Sequence, residues 1–233
     1  MISHRLLSVY RELLDTIEHK ELGTIDRLAK ITADSIAKGG SVYIHDRGHL
    51  LSHELFLRSG GLALIRQLFM TVEAGSEPGG DLLLAERTIE ESGLKAGDIL
   101  LLGSVSGRAA SVVEMAIQAK KRGIVTIAMT AMDYTSQTPS QHPSGQRLYE
   151  ACEHVLDIHT MKGDAALEVE GLGEKIMPTS GFTSAVVGWC FIAQVIEHLL
   201  ALGIEPTVYR SVSMPNGEEL VEKAKARFQE LGY

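Results

Sequence analysis

The sequence predicts a single α/β domain: a three-layer, doubly wound, five-stranded parallel sheet preceded by a pair of helices. Three observations carry this. Short apolar runs alternate with helix-period segments from Ser41 to Leu202, the pattern of a sheet buried on both faces. Hydrophobic residues make up 45% and charged residues 22% of 233, an ordinary globular composition with enough chain to bury a core without disulfides or metal. No internal repeat, low-complexity tract or Pro/Gly/Ser-rich linker divides the chain.

The elements follow in order. Leu6, Tyr10, Leu13, Leu14 and Ile17 share one helical face and Leu22, Ile25, Leu28, Ala29 and Ile36 another, with Gly23 between them. This makes residues 1–38 a helical pair, stopped by Gly39-Gly40. The α/β core spans 41–205, with strands over Ser41–His45, Leu64–Met70, Asp98–Gly103, Ile124–Thr130 and Val155–His159. Helices are expected over Leu50–Ser59, Asp81–Ser92, Ala109–Arg122 and Thr179–Leu202, and a terminal one lies within 217–231. Ser184–Ile204 is largely apolar for 21 residues but contains Gln194, Glu197 and His198 and lacks flanking Lys/Arg asymmetry. It reads as a buried core helix, and no membrane partner is expected.

Composition excludes several functions. Thirty acids against 22 bases give a net charge of −8, which repels a polyanion, so no nucleic-acid partner is expected. A small anion remains compatible, because a local cluster of N–H groups outweighs a distant net charge. Cys152 and Cys190 are too few for a disulfide framework and lack metal-ligand spacing. With no export signal at the amino end, the expected compartment is a reducing cytoplasm. The chain has neither a G-x-x-x-x-G-K-[ST] nor a G-x-G-x-x-G motif, and no serine nucleophile elbow. No nucleotide, metal or other cofactor is expected.

In an open parallel sheet, ligands bind beyond the carboxyl ends of the strands. After the third strand stands Gly103-Ser104-Val105-Ser106-Gly107-Arg108, opening a helix. Two hydroxyls, two glycines, an arginine and a helix N-terminus suit an anion, and they equally suit an ordinary N-cap. After the first strand, His49 and His53 stand four apart beside Glu54. On a helix they share a face, which fits an acid/base site, a metal pair short of a third ligand, or a solvated helix start. Thr130 ends the fourth strand, and a long polar connection follows with Ser136, Ser140, His142, Ser144 and Arg147, either a binding loop or a solvated one. Gly163-Asp164-Ala165 and Glu168–Gly173 follow the fifth strand. Thr179 and Ser180 open the last long helix, as a cap or as further donors to the same ligand.

Ser104-Val105-Ser106-Gly107-Arg108 after a buried strand resembles the S-x-S-G phosphate loop of the SIS (sugar isomerase) domain family. Gly48-His49, Glu54, Arg58 and Gly60-Gly61, with Ser144-Gly145, Arg147-Leu148-Tyr149 and Pro178-Thr179-Ser180, resemble a bacterial phosphosugar isomerase subgroup of that family, related to phosphoheptose isomerase. The resemblance covers about residues 1–215. It implies a flavodoxin-like sheet, a homo-oligomer (dimer or tetramer) joined through the amino-terminal helices, and a sugar phosphate at the strand ends. The phosphate would sit on Ser104, Ser106, Gly107 and Arg108, with Thr130, Gly48, Thr179 and Ser180 around it. Glu54 matches the family's carboxylate base. His198 lies too far along its helix to match the family's histidine, which leaves His49, His53 or His142 as the acid. Where many relatives carry G-x-G-x-S after the first strand, this chain reads His45-Asp46-Arg47-Gly48-His49, so Arg47 replaces a hydroxyl contact. The expected activity is aldose–ketose isomerisation of a sugar phosphate through an enediol. The alternatives are a phosphosugar sensor acting through a protein partner and lyase or etherase chemistry on an amino-sugar phosphate.

Overall fold

The computed structural model describes residues 1–48, 50–52, 54–70 and 80–233. Two consecutive helices, α1 (Ile2–Lys20) and α2 (Leu22–Ala37), precede β1 (Val42–Asp46) and β2 (Ile65–Gln67). Then come α3 (Gly80–Glu91), β3 (Ile99–Gly103), α4 (Ala110–Lys121), β4 (Val125–Thr130), two single-turn helices α5 (Met132–Thr135) and α6 (Leu148–Ala151), and β5 (His154–Asp157). A hairpin of β6 (Ala165–Leu167) and β7 (Ile176–Pro178) leads to α7 (Ser180–Ala201), and α8 (Gly217–Leu231) closes the described chain.

The five strands β1 to β5 pair in the order β2-β1-β3-β4-β5, all parallel. Strand periodicity divides the core into two layers. Ile99, Leu101, Ile127 and Met129 face one side with α2 and α7; Leu100, Leu102 and Ala128 face the other with α3, α4 and α6. The helix α7 is long and apolar enough to cross a membrane by length and composition, with a mean hydropathy of 1.5. Its Val187, Phe191, Ile192, Val195 and Leu199 are buried in the first of these layers.

Three expectations are corrected. The helical pair breaks at Glu21, two residues before Gly23, because the Glu21 side chain turns inward. Its Oε1 accepts the Asp157 N–H at 3.1 Å and its Oε2 lies 3.2 Å from His159 Nε2. Leu50–Ser59 forms no helix among its described residues. It is a chain of turns with Leu57 at φ 52°. Asp46 accepts the N–H groups of Leu50 (2.7 Å), Leu51 (3.3 Å) and Ser52 (3.3 Å), and the Ser52 hydroxyl as well. Leu50, Leu51 and Leu55 then act as plugs for the core instead of one helical stripe. Leu55 enters so closely that a Cβ on Gly188 would stand 2.6 Å from its Cδ1. The hairpin β6–β7 has no counterpart in the sequence reading.

Candidate functional site

The connection from β1 runs to β2 on one side, and the chain returns through β3 on the other. The carboxyl ends of β1 and β3 therefore flank the topological switch, where an open α/β sheet presents its crevice. Arg47 N–H bonds Gly103 O at 3.0 Å across this point.

The loop after β3 is built to keep polar groups available. Ser104 is buried, and its N–H donates to Met129 O at 3.1 Å. Val105 O accepts the Thr130 hydroxyl (3.1 Å) and the Ala131 N–H (3.1 Å). Gly107 turns the chain at φ 57°, and a Cβ there would stand 2.6 Å from Thr135 Oγ1, so the position requires glycine on two counts. From outside, Leu148 N–H donates to Gly107 O (2.8 Å) and Gln141 N–H to Arg108 O (2.9 Å). The loop's outer carbonyls are thus satisfied, while the Ser104 and Ser106 hydroxyls have no partner among the described residues. Helix α4 then starts at Ala110 from Ala109, with no side chain capping its N–H groups. Uncapped N–H groups and a dipole's positive end favour an anion here.

Two arginines flank this loop. Arg47 Nη1 donates to Ser111 Oγ on α4 at 2.8 Å and lies 3.7 Å from Asp81 Oδ2. Arg108 Nε and Thr135 Oγ1 are buried without a hydrogen-bond partner among the described residues, and both residues adjoin Gly107. Unpartnered buried polar atoms are uncommon in folded proteins, and their gathering at one loop marks it.

The remaining expected residues fall at different distances from that cradle. Glu54 sits in the turns after β1, with Oε1 3.3 Å from Trp189 Nε1 and 3.5 Å from Arg58 Nη2. Gly48 lies just past the end of β1, while His49 and His53 lie outside the described residues. Thr130 is fully buried and supports the cradle through Val105 O. Thr179 and Ser180 do begin the last long helix, but their donors are already engaged. The Asp164 carboxylate accepts Thr179 N–H (2.9 Å), Ser180 N–H (2.7 Å) and Ser180 Oγ–H (2.8 Å). His198 pairs with Asp26 at 2.8 Å near the opposite end of α7. The polar connection 136–147 folds against α4, where His142 Nε2 lies 2.7 Å from Glu114 Oε2 and its Nδ1 2.7 Å from Ser144 Oγ. Arg147 closes it by donating to Ser136 O at 2.8 Å. This connection buttresses the loop after β3.

Sequence reasoning missed one polar cluster at the same sheet edge. His159, just beyond β5 at φ 54°, lies between Glu21 (3.2 Å) and Asp157 (3.3 Å). The Glu21 hydrogen bond raises its pKa above the ordinary imidazole value. His45, on β1, shifts the other way, because burial disfavours its charge. Its Nδ1 lies 2.9 Å from Leu68 O. The pairing of Glu21 with His159 joins residues 138 positions apart, so no local spacing announces it. Among the described residues, no group of three His, Cys, Asp or Glu side chains is placed to hold a metal ion.

The profile of the SIS domain matches residues 7–131, from α1 through the loop Ser104–Arg108 to the end of β4. The chain belongs to the SIS-domain family. UPF0309 proteins are relatives over nearly its whole length. The one from Shouchella clausii is 32% identical, covering 94% of this chain and 93% of its own. The one from Listeria monocytogenes is 35% identical, covering 90% and 89%. A phosphoheptose isomerase from Francisella tularensis shares the fold with a TM-score of 0.54 at 13% identity, covering 83% of this SIS protein and 96% of its own chain. One from Neisseria gonorrhoeae gives 0.52 at 16%, covering 85% and 98%.

Proposed function

We propose that this SIS protein binds a sugar phosphate in the crevice between β1 and β3 and interconverts its aldose and ketose forms. The carrying observation is the loop Ser104–Arg108. It combines two hydroxyls and a buried arginine Nε, none with a partner among the described residues, with an uncapped helix at the topological switch. The phosphate is assigned to Ser104, Ser106, Gly107 and the α4 N-terminus, with Arg108 and Arg47 adding charge-assisted contacts.

The reaction needs one group to carry a proton between neighbouring carbons. For an aldose, Glu54 takes the proton from C2 while an acid protonates the carbonyl oxygen at C1, giving the enediol. Glu54 then returns its proton to C1 as the C2 hydroxyl loses its own, leaving the ketone. Trp189 Nε1, 3.3 Å from Glu54 Oε1, fixes one carboxylate oxygen. The acid is assigned to His49 or His53. Exposed Ile2, Leu7 and Leu14 on α1 support self-association through the amino-terminal helices. Two free cysteines suit a reducing cytoplasm.

Phosphorus NMR of the protein with pooled heptose, hexose and N-acetylhexosamine 6-phosphates tests this. New resonances that vanish in Glu54→Gln, while line broadening by binding persists, support the isomerase; Ser106→Ala removes both signals. Broadening without new peaks points instead to a phosphosugar sensor. With an amino-sugar phosphate that carries an ether substituent added to the pool, release of that substituent, read by proton NMR, points to lyase or etherase chemistry.

A further inference from the structure

An open cavity of about 520 Å³ is bordered by the second half of α7, the segment 205–210 and α8. Its size falls within the range of small-molecule sites, roughly 300–1,000 Å³. Ile196 and Leu200 of α7, Val208 of the connecting segment and Ala224 of α8 give it apolar walls. Three cations, Arg210, Lys223 and Arg227, line it against one carboxylate, Glu205. Arg227 is tied to Glu205 through Nη1 at 3.4 Å, and Lys223 lies 2.6 Å from Glu219 on its own helix. Arg210 has neither a carboxylate nor a hydrogen-bond partner among the described residues. It also borders an adjoining cavity of about 310 Å³, lined by Leu57, Tyr209 and Lys225 among others.

The wall that carries Val208 and Arg210 is fixed in place. Val208 bridges Leu62 in antiparallel register, Ala63 N–H donates to Thr207 O at 2.9 Å, and Tyr209 N–H donates to Gly61 O at 3.0 Å. This wall of the cavity is therefore preformed. An apolar lining with the cation of Arg210, unpaired among the described residues, at its margin discriminates on two grounds. It attracts an anion, and it rewards an anion that carries an apolar body.

We propose that this cavity is a second binding site, separate from the sugar-phosphate crevice, for an amphipathic anion. The ligand class is a medium-chain alkyl or an aryl group bearing one carboxylate or phosphate. The apolar body lies on Leu200, Val208 and Ala224, and the head group meets Arg210.

The probe is 8-anilinonaphthalene-1-sulfonate, read by fluorescence, with octanoate and octyl phosphate as competitors. The expected result is saturable binding at one site per chain, displaced by a competitor, weakened about tenfold or more by Arg210→Gln and abolished by Ala224→Leu, which fills the floor. Displacement by octanoate alone or by octyl phosphate alone distinguishes a carboxylate from a phosphate head group. Ser106→Ala should leave this binding unchanged. Circular dichroism and the urea midpoint establish that each variant is folded, and Leu200→Phe serves as the filling variant if Ala224→Leu is not. Titrations that are identical in the wild type, Arg210→Gln and the folded filling variant would overturn the proposal, as would failure of both alkyl anions to displace the probe.

Discussion

The Asp164 carboxylate holds the N-terminus of α7, with Oδ1 2.7 Å from Ser180 N and Oδ2 2.8 Å from Ser180 Oγ. Asp164 is itself at φ 65°, a left-handed conformation that aspartate tolerates better than most residues. A side chain from 16 positions upstream thus does the work usually given to an N-cap residue. Asp164→Ala should lower stability by about 2 kcal/mol, seen as a reduced urea midpoint. Asp164→Asn keeps the turn and one acceptor and should lose less. Equal midpoints for all three proteins would show that the cap contributes nothing.

Gly107 and Thr135 meet where a Cβ would clash, at 2.6 Å, and the backbone there is left-handed. Gly107→Ala should cost about 1–3 kcal/mol. Thr135→Ala removes a hydroxyl that is buried and unpartnered, so alone it should be nearly neutral. In the double variant the steric part of the loss should be recovered while the backbone part remains. A strictly additive cycle would mean that the two side chains do not interfere.

His159 gives a pH dependence with a definite sign. Its folded pKa is raised by the Glu21 hydrogen bond, so folding favours the imidazolium. That stabilisation is complete below the unfolded imidazole value of about 6.5 and is lost as pH rises through the higher folded value. The urea midpoint of the wild type should therefore fall more between pH 6 and pH 8 than that of His159→Gln. His45, whose burial acts in the opposite direction, is common to both proteins and cancels. Parallel pH profiles would remove His159 from the account.

The two thiols should differ in reactivity. Cys152 is buried and its thiol is pushed up to about 12 by desolvation, whereas Cys190 is half-buried with a smaller upward shift of the same cause. Titration with a chromogenic disulfide at pH 8 should label Cys190 slowly and Cys152 only on unfolding. Two equally fast thiols would contradict the burial of Cys152.

The sheet was legible because β3 is a continuous apolar run, β1 and β4 are mostly apolar, and glycine follows α2 and α4 where each ends. The position of the loop Ser104–Arg108 was legible for the same reason, since its two serines directly follow a strand that cannot be mistaken. The turns after β1 were not. Leu51 and Leu55 have helical spacing, yet the Asp46 carboxylate gathers the N–H groups of that segment and holds it in turns. The hairpin β6–β7 is invisible to periodicity because each strand is three residues long and mostly half-exposed. Asp164 was in view as a residue but not as a cap, because nothing local ties position 164 to position 180. Long-range polar pairing was the part of the site beyond the reach of spacing.

The sheet ends on one side at β2, a three-residue strand centred on the exposed Arg66, whose guanidinium carbon lies 5.7 Å from the Tyr43 ring centre and 5.5 Å from that of Phe228. On the other it ends at β5, only four residues long. A short rim interrupted by a charge is a poor template for a foreign strand. Just before β2, the backbone at 60–63 is already engaged by 207–209. Removing the chain beyond residue 205 would free those donors and acceptors beside Leu62, Leu64 and Ile65. The truncated protein should then be prone to strand-to-strand polymerisation, so this distal stretch guards solubility as well as closing the fold.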